Sequence, residues 1–537
     1  MKQKLITVCS YICRKNLLAL SVLLLVGTVL GYHLFERILY ELQGPLNADS
    51  TLYLGVGRGI LNGLIPYIDL FETKPPGVFL LSSLSLWLTK GTMLISVLQI
   101  ISIAIIPISL LLIARNISKN NNKNLGLLSQ VITVLLGLVW ALYMGERSGE
   151  FQVESFGSMF ATLYLVTITL DDKKHMSVRR TVTAGLLLMC AIGMKEPFVL
   201  TALASVLLIY ATSPSRIIDR FVKPCALAAV LGFFALSVLR YLGPFLSIYL
   251  PEMLGNHIHS HGPLWQRALN WQKLFYNLEQ FIPFLGFSTL VFFGCVFCTR
   301  LMDTQLRTFP IAIISMVVAI VLTVLSVGLG GQYWNHHFAF AVPVYIAASA
   351  LFVTGIPKMW PHMQRISLMA CIAVLISFSL HIPESHLESR LVSIQKNIAK
   401  TKDAASDIDD ILLACKQPRY MFIGANGMQP YAFTEHSPLG PNFFQYNYFF
   451  TEDRPYFRQS FVQNLFTANI VVINQRYELG ALTPAVERYL DDSFSTQPWK
   501  CAQKSDMPDK YQILFRKRKR IALTQSKNEL ISIAHAQ

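Results

Sequence analysis

NADSTLYLGVGRGILNGLIPYIDLFETKPPG, residues 47–77, is the stretch on which the reading of this chain turns. It lies between an apolar run at 17–35 and another that starts at Pro76. Asp49, Arg58, Asp69, Glu72 and Lys74 therefore share one loop beside apolar segments. Charge held near a bilayer is costly, and where it is kept it usually marks a site.

Working outward, the composition explains why a bilayer is the right frame. Hydrophobic residues make up 53% of the 537, and charged residues only 14%. Many apolar runs have the ~17–25 residues that a helix needs to cross a hydrocarbon core. A polytopic α-helical membrane protein is expected. The formal net charge of +15 would point to nucleic acid in a soluble protein. Here basic loops on the inner face account for it, and no nucleic-acid partner is expected. Lys2, Lys4, Arg14 and Lys15 precede the run at 17–35. That run is longer than a secretory signal core and lacks a clear small-residue cleavage site, so it reads as an uncleaved first span.

Further apolar segments fall at 76–90, 92–114, 126–144, 156–170, 181–193, 197–211, 224–247, 277–298, 308–327, 338–356 and 366–382. The basic clusters are the N-terminus; Arg115, Lys119 and Lys123; Lys173, Lys174, Arg179 and Arg180; Arg216, Arg220 and Lys223; Arg300 and Arg307; and Lys358 and Arg365. They alternate in sidedness only if one segment does not cross. The short 76–90, broken by Ser82, Ser83 and Ser85, reads as a juxtamembrane helix at the surface. About eleven spans remain, with the N-terminus cytoplasmic. The loops 36–75, 145–155, 194–196, 248–276 and 328–337 then all face outward, together with everything after about residue 383. The expected division is a transmembrane domain at 1–383 and a soluble extracytoplasmic α/β domain at 384–537.

That tail carries strand-like runs at Tyr420–Gly424, Asn469–Asn474 and Tyr511–Arg516. Two of the nine cysteines, Cys415 and Cys501, lie in it and can pair in an oxidising compartment, or stay as two buried thiols. Cys295 and Cys298 form a CxxC at a helix end, where packing explains them better than a metal. There is no internal repeat, P-loop or dinucleotide-binding fingerprint, so a nucleotide-sugar donor has no support.

An enzyme beside a bilayer that joins a hydroxyl to a group carried on a lipid phosphate needs a base near the hydroxyl oxygen and cations against the phosphate. A phosphate leaving group needs no general acid. Asp49 is the candidate base; it is equally placed to cap the helix that its periodicity starts. Lys74 is the candidate phosphate partner, or an interfacial lysine reaching toward water. Asp69 and Glu72 either orient Lys74, bind a metal or are solvated, and Arg58 has the same ambiguity. Tyr53 lies on the same loop helix.

In the second outer loop, GERSGEFQVES, Glu154 stands closest to a span and can orient an acceptor or the base, whereas Glu146 and Glu150, beside Arg147, read equally well as solvated. Lys195, Glu196 and Pro197 break a long apolar run, at a hairpin tip or at the site. His257, His259 and His261 alternate on a loop that gives no metal geometry. Tyr333 and Trp334 fit an interfacial aromatic belt; the adjacent His336 and His337 do not.

Several of these motifs resemble, in order, the protein O-mannosyltransferase and lipid A aminoarabinose transferase group of the GT-C superfamily. The first loop matches at Asp49, Tyr53, Gly63, Pro66, Tyr67, Lys74, Pro75, Pro76 and Gly77. Glu154 matches the acid that opens a span after the second outer loop, and Lys195 with Pro197 matches a mid-chain Lys-x-Pro. His336, His337, Phe338 and Pro343 match a late motif in which His337 replaces the usual Tyr. The resemblance covers about residues 17–360.

It implies a GT-C fold, a polyprenyl-phosphate-linked sugar as donor, and inversion at the anomeric carbon. Asp49 would be the catalytic acid-base residue, with Glu154 beside the acceptor. Lys74 would face the donor phosphate; Arg58 and Lys195 are further candidates for that phosphate from the residues themselves. Ser50 stands where many members carry a second acid, which weakens a metal site in the first loop; a divalent metal is compatible with the family but no residue set demands one. The expected function is a bacterial inner-membrane glycosyltransferase acting on the outer face, with an envelope lipid, glycan or protein as acceptor. The rival reading, a flippase or transporter of a lipid-linked sugar, calls for mid-bilayer charges and inverted repeats that the sequence does not show.

Overall fold

The structure is a computed structural model. It describes residues 2–120, 125–170, 175–210, 213–257, 294, 309–329, 333–356, 361–381, 387–424, 428–443, 455–474, 479, 483–502, 511–517 and 524–535. Apart from Gly294, the expected span at 277–298 lies outside the described residues, as do His259, His261, Cys295, Cys298, Arg300 and Arg307. So do Lys123, Lys173, Lys174 and Lys358, and the side chains of Arg147 and His257.

The chain divides into two compact units. The first comprises Met1–Gln43, Ser96–Phe234 and His261–Leu387, and the second Gly44–Ile95, Ala235–Ser260 and Glu388–Gln537. The first loop thus groups with the C-terminal stretch and not with the remaining apolar helices.

The first eight helices are α1 (Lys2–Leu42), α2 (Ala48–Leu61), α3 (Pro76–Thr89), α4 (Met93–Asn120), α5 (Leu127–Ser148), α6 (Val153–Thr169), α7 (Val178–Met194) and α8 (Phe198–Tyr210). Among the described residues, six helical stretches are long and apolar enough to cross a membrane: Ser21–Leu42, Met93–Asn120, Leu127–Glu146, Pro214–Val238, Pro310–Gly328 and Asn335–Gly355. α3, α6, α8 and Ile366–Ser379 are shorter apolar helices.

In the first unit Asn335–Gly355 is the innermost of these and packs on α5, α6 and α8. Small residues let backbones approach where apolar burial alone distinguishes nothing from lipid. A Cβ at Gly137 of α5 would strike Pro107 of α4. Trp140 stacks on Tyr345 at 4.5 Å, and its indole N–H donates to Ser349 Oγ at 3.0 Å, so its one polar atom is satisfied in the core.

In the second unit, four strands form a sheet in the order β1-β2-β4-β3: β1 (Met421–Ile423), β2 (Ile470–Asn474), β3 (Phe494–Ser495) and β4 (Tyr511–Arg516). β2, IVVIN, is buried along its whole length, as expected of a strand covered on both faces. It runs parallel to β1, which requires a crossover, and helix Pro455–Thr467 lies within that connection. The Arg516 guanidinium donates to the carbonyls of Leu465, Phe466 and Ala468, capping the end of the same helix. Cys415 and Cys501 are joined by a disulfide with Cα atoms 5.3 Å apart.

The first loop is built against this sheet domain. Asn62 Nδ2 donates to the Glu435 carbonyl at 2.8 Å and to Ser437 Oγ at 2.9 Å. The Phe71 amide donates to the Pro441 carbonyl at 3.0 Å, and the Phe71 ring meets Phe457 edge-on at 5.0 Å. α2 and α3 pack together, with Ser83 Oγ donating to the Gly57 carbonyl at 2.8 Å.

Candidate active site

The second unit holds the first-loop residues. α2 begins at a capping box between Asn47 and Ser50, so the cap is Asn47 and not Asp49. Asp49 stands in the first turn, half-buried, where the helix dipole favours its negative charge. Tyr53 follows one turn later and is buried.

The Gly-x-x-Pro-Tyr motif has a conformational cause. Gly63 has φ +80° and Tyr67 φ +71°, a region costly for a side chain as large as tyrosine. The reversal is held by the Asp69 carboxylate, which accepts from the Ile65 amide at 2.8 Å, and by the Tyr67 amide, which donates to the Leu70 carbonyl at 2.8 Å. Tyr67 is buried against Phe71, Phe79 and Tyr249, and its hydroxyl donates to the Lys74 carbonyl at 2.9 Å. The motif therefore fixes the backbone of Lys74.

The Lys74 ammonium lies 3.6 Å from Glu72 Oε1 and 6.0 Å from the Tyr53 ring centroid. Glu72 is fully buried, and its Oε1 also accepts from Thr73 Oγ1 at 3.1 Å. A carboxylate withdrawn from water beside a lysine is a fixed charge pair, not two solvated groups. Arg58 has a different neighbourhood. Burial lowers the pKa of its guanidinium, and the nearby carboxylates of Asp409 and Glu435 oppose that. It thus faces acids of the sheet domain.

The first unit holds the other candidates, and two local features bring them together. α7 ends at Met194, and its C-cap Lys195 is extended (φ −163°). Phe198 then starts α8, and its ring fills the space over Gly157, where a Cβ would collide with it. Gly157 lies one turn beyond Glu154, and Phe198 three residues beyond Lys195, so this contact sets the two charged residues side by side.

Glu154 is fully buried, and its Oε1 accepts a hydrogen bond from the Lys195 ammonium. The same ammonium lies 2.9 Å from His337 Nε2, which accepts if its proton is on Nδ1, and 5.3 Å from the Phe340 ring centroid. His336 Nε2 is 3.9 Å from Glu154 Oε1. The 3₁₀ segment Asn335–Ala341 that carries both histidines is tied to α6 by Ser158 Oγ, which donates to the Ala339 carbonyl at 2.9 Å.

Glu154, His336 and His337 offer three metal-type donor atoms within 4.8 Å of one another. The Lys195 ammonium already engages Glu154 Oε1 and His337 Nε2. A divalent ion bound through those two atoms would have to displace a tethered cation.

The structure therefore gathers Asp49, Tyr53, Glu72 and Lys74 in one unit, and Glu154, Lys195, His336 and His337 in the other. Glu150 is buried and accepts from the Tyr40 hydroxyl at 2.5 Å, so it is a packed structural acid and not a solvated one. Sequence reading missed Gly157, and it missed Tyr431, which comes to the first loop from the sheet domain. A Cβ on Gly55 would lie 2.7 Å from Tyr431 Cδ2.

No family model matches the chain, and no curated protein matches it. Two solved structures are similar to it. The crystal structure of ArnT from Cupriavidus metallidurans bound to undecaprenyl phosphate aligns over 93% of this chain and 97% of its own, at 12% identity and a TM-score of 0.45. The archaeal oligosaccharyltransferase AglB from Archaeoglobus fulgidus, in complex with an inhibitory peptide and a dolichol-phosphate, aligns over 96% and 78%, at 12% identity and a TM-score of 0.43.

Proposed function

We propose that this protein is a membrane glycosyltransferase that moves a sugar from a polyprenyl phosphate to a hydroxyl of an envelope lipid, glycan or protein. The observation that carries the reading is the Glu72–Lys74 pair, held with a fully buried carboxylate on the same loop that carries Asp49. A lysine whose backbone is clamped and whose ammonium is held by a buried carboxylate is preorganised to meet an anion.

In this reading Asp49 takes the proton from the acceptor hydroxyl as its oxygen attacks the anomeric carbon. Lys74 neutralises the phosphate as the glycosidic bond breaks and the electron pair passes to the phosphate oxygen. A single displacement inverts the anomeric centre. Tyr53 shapes the wall beside Lys74, Glu154 serves the acceptor, and Lys195 is a second cation whose charge Glu154 and His337 shape. About eleven spans, a cytoplasmic N-terminus and an outward-facing C-terminal domain from about residue 384 complete the proposal, in a bacterial inner membrane.

The test compares a strain lacking the gene with the same strain complemented by wild type or by Asp49→Asn, using mass spectrometry of envelope lipids, glycans and glycoproteins. A sugar-sized mass difference restored only by wild type is expected. Equal restoration by Asp49→Asn would remove the base assignment, and accumulation of a lipid-linked sugar on the inner leaflet would replace transfer by transport.

A further inference from the structure

Tyr431 is a buried polar residue that none of these roles uses. It lies in the short 3₁₀ turn Pro430–Ala432 of the sheet domain, which packs on α2. Its ring is fixed on three sides, edge-on to Phe422 at 5.4 Å, edge-on to Phe443 at 5.0 Å, and against the bare backbone of Gly55. The residue is 1% exposed, and its hydroxyl has no hydrogen-bond partner among the described residues.

That hydroxyl is within electrostatic range of the Glu72 and Asp49 carboxylates. Burial first, and then the charge of Glu72 with a smaller share from Asp49, hold the phenol well above its ordinary pKa. It is therefore a donor at any physiological pH. An unsatisfied buried hydroxyl is costly, and one held so rigidly cannot turn away to find water.

We propose that Tyr431 is a substrate-binding residue supplied to the first-loop site by the C-terminal domain, its hydroxyl donating to a sugar hydroxyl next to the reacting centre. The chemistry suits a polyol: carboxylates accept from some of its hydroxyls, and the phenol donates to the oxygen of another. The polyol is either the transferred sugar or an acceptor glycan. This inference rests on the glycosyltransferase reading.

Tyr431→Phe keeps the ring and removes only the oxygen. Purified full-length wild type and Y431F are assayed with the lipid fraction of the deletion strain as donor and its envelope fraction as acceptor, each varied in turn. The expected loss in kcat/KM is about ten- to a hundredfold, the usual effect of removing one partner of a buried hydrogen bond. A KM raised only for the lipid fraction places the hydroxyl on the donor sugar, and one raised only for the envelope fraction places it on the acceptor.

The ligand-free melting temperature separates binding from structure. A hydroxyl that awaits a ligand contributes nothing before binding, so Y431F should melt at or above wild type. A lower melting temperature, or unchanged kinetics in an active protein, would overturn the assignment. An inactive wild type would instead sink the glycosyltransferase reading, and this inference with it.

Discussion

At the scale of single residues, the Glu154–Lys195 contact makes the sharpest demands. Breaking a buried pair leaves one charge without compensation, at a cost of about 3–5 kcal/mol. Glu154→Gln is therefore expected to lower the melting temperature markedly, and adding Lys195→Met should recover much of the loss. If the double variant is no more stable than Glu154→Gln alone, the two residues are not coupled.

Lys195→Met by itself has a second consequence. It frees Glu154 Oε1 and His337 Nε2, and with His336 these form a three-donor set suited to zinc. Zinc is expected to raise the melting temperature of that variant and not of wild type. An equal shift in both proteins would mean that the lysine does not occupy the cation position.

At the scale of elements, the helices were legible because their apolar runs are long and their breaks are chemical. Lys195–Glu196–Pro197 reads as an interruption, and α7 ends there. Asp49 was legible as a special residue, but not as distinct from a cap, because Asn and Asp cap equally well and Asn47 lies two positions away. Three of the four strands coincide with apolar runs of the sequence; β3 does not, because two residues pair only through the register that β4 offers. Tyr431 was illegible, since nothing in its neighbours along the chain refers to α2.

The sheet domain also carries a pH expectation. Burial pushes Tyr511 up to about 12, and Tyr420 is raised further in the same direction by the same cause. Their folded pKa values lie above the unfolded value near ~10. The neutral phenols therefore stabilise the fold fully below about pH 10, and that contribution is lost as pH rises through the folded values. Thermal midpoints should be flat up to about pH 9 and fall above about pH 10. A midpoint that stays level across the alkaline range would contradict the burial of these phenols.

At the scale of the whole molecule, the disulfide closes a long loop. Cys415 and Cys501 are 86 residues apart, and in the chain-entropy picture a loop of that order contributes about 4–5 kcal/mol. Both thiols should resist alkylation in the intact protein and react after reduction. Labelling of both without reductant would exclude the bridge. Loss of it should weaken the first loop too, because Asn62 and Phe71 hydrogen-bond to the domain that it staples.

The same docking sets an order of events during synthesis. Asn62 leaves the ribosome 373 residues before the Glu435 carbonyl that receives its hydrogen bond. Apolar helices can fold as they emerge, yet the loop that carries Asp49 and Lys74 waits for a partner made 373 residues after Asn62. A chain terminated before residue 435 thus has a first loop that lacks the acceptor of its Asn62 hydrogen bond.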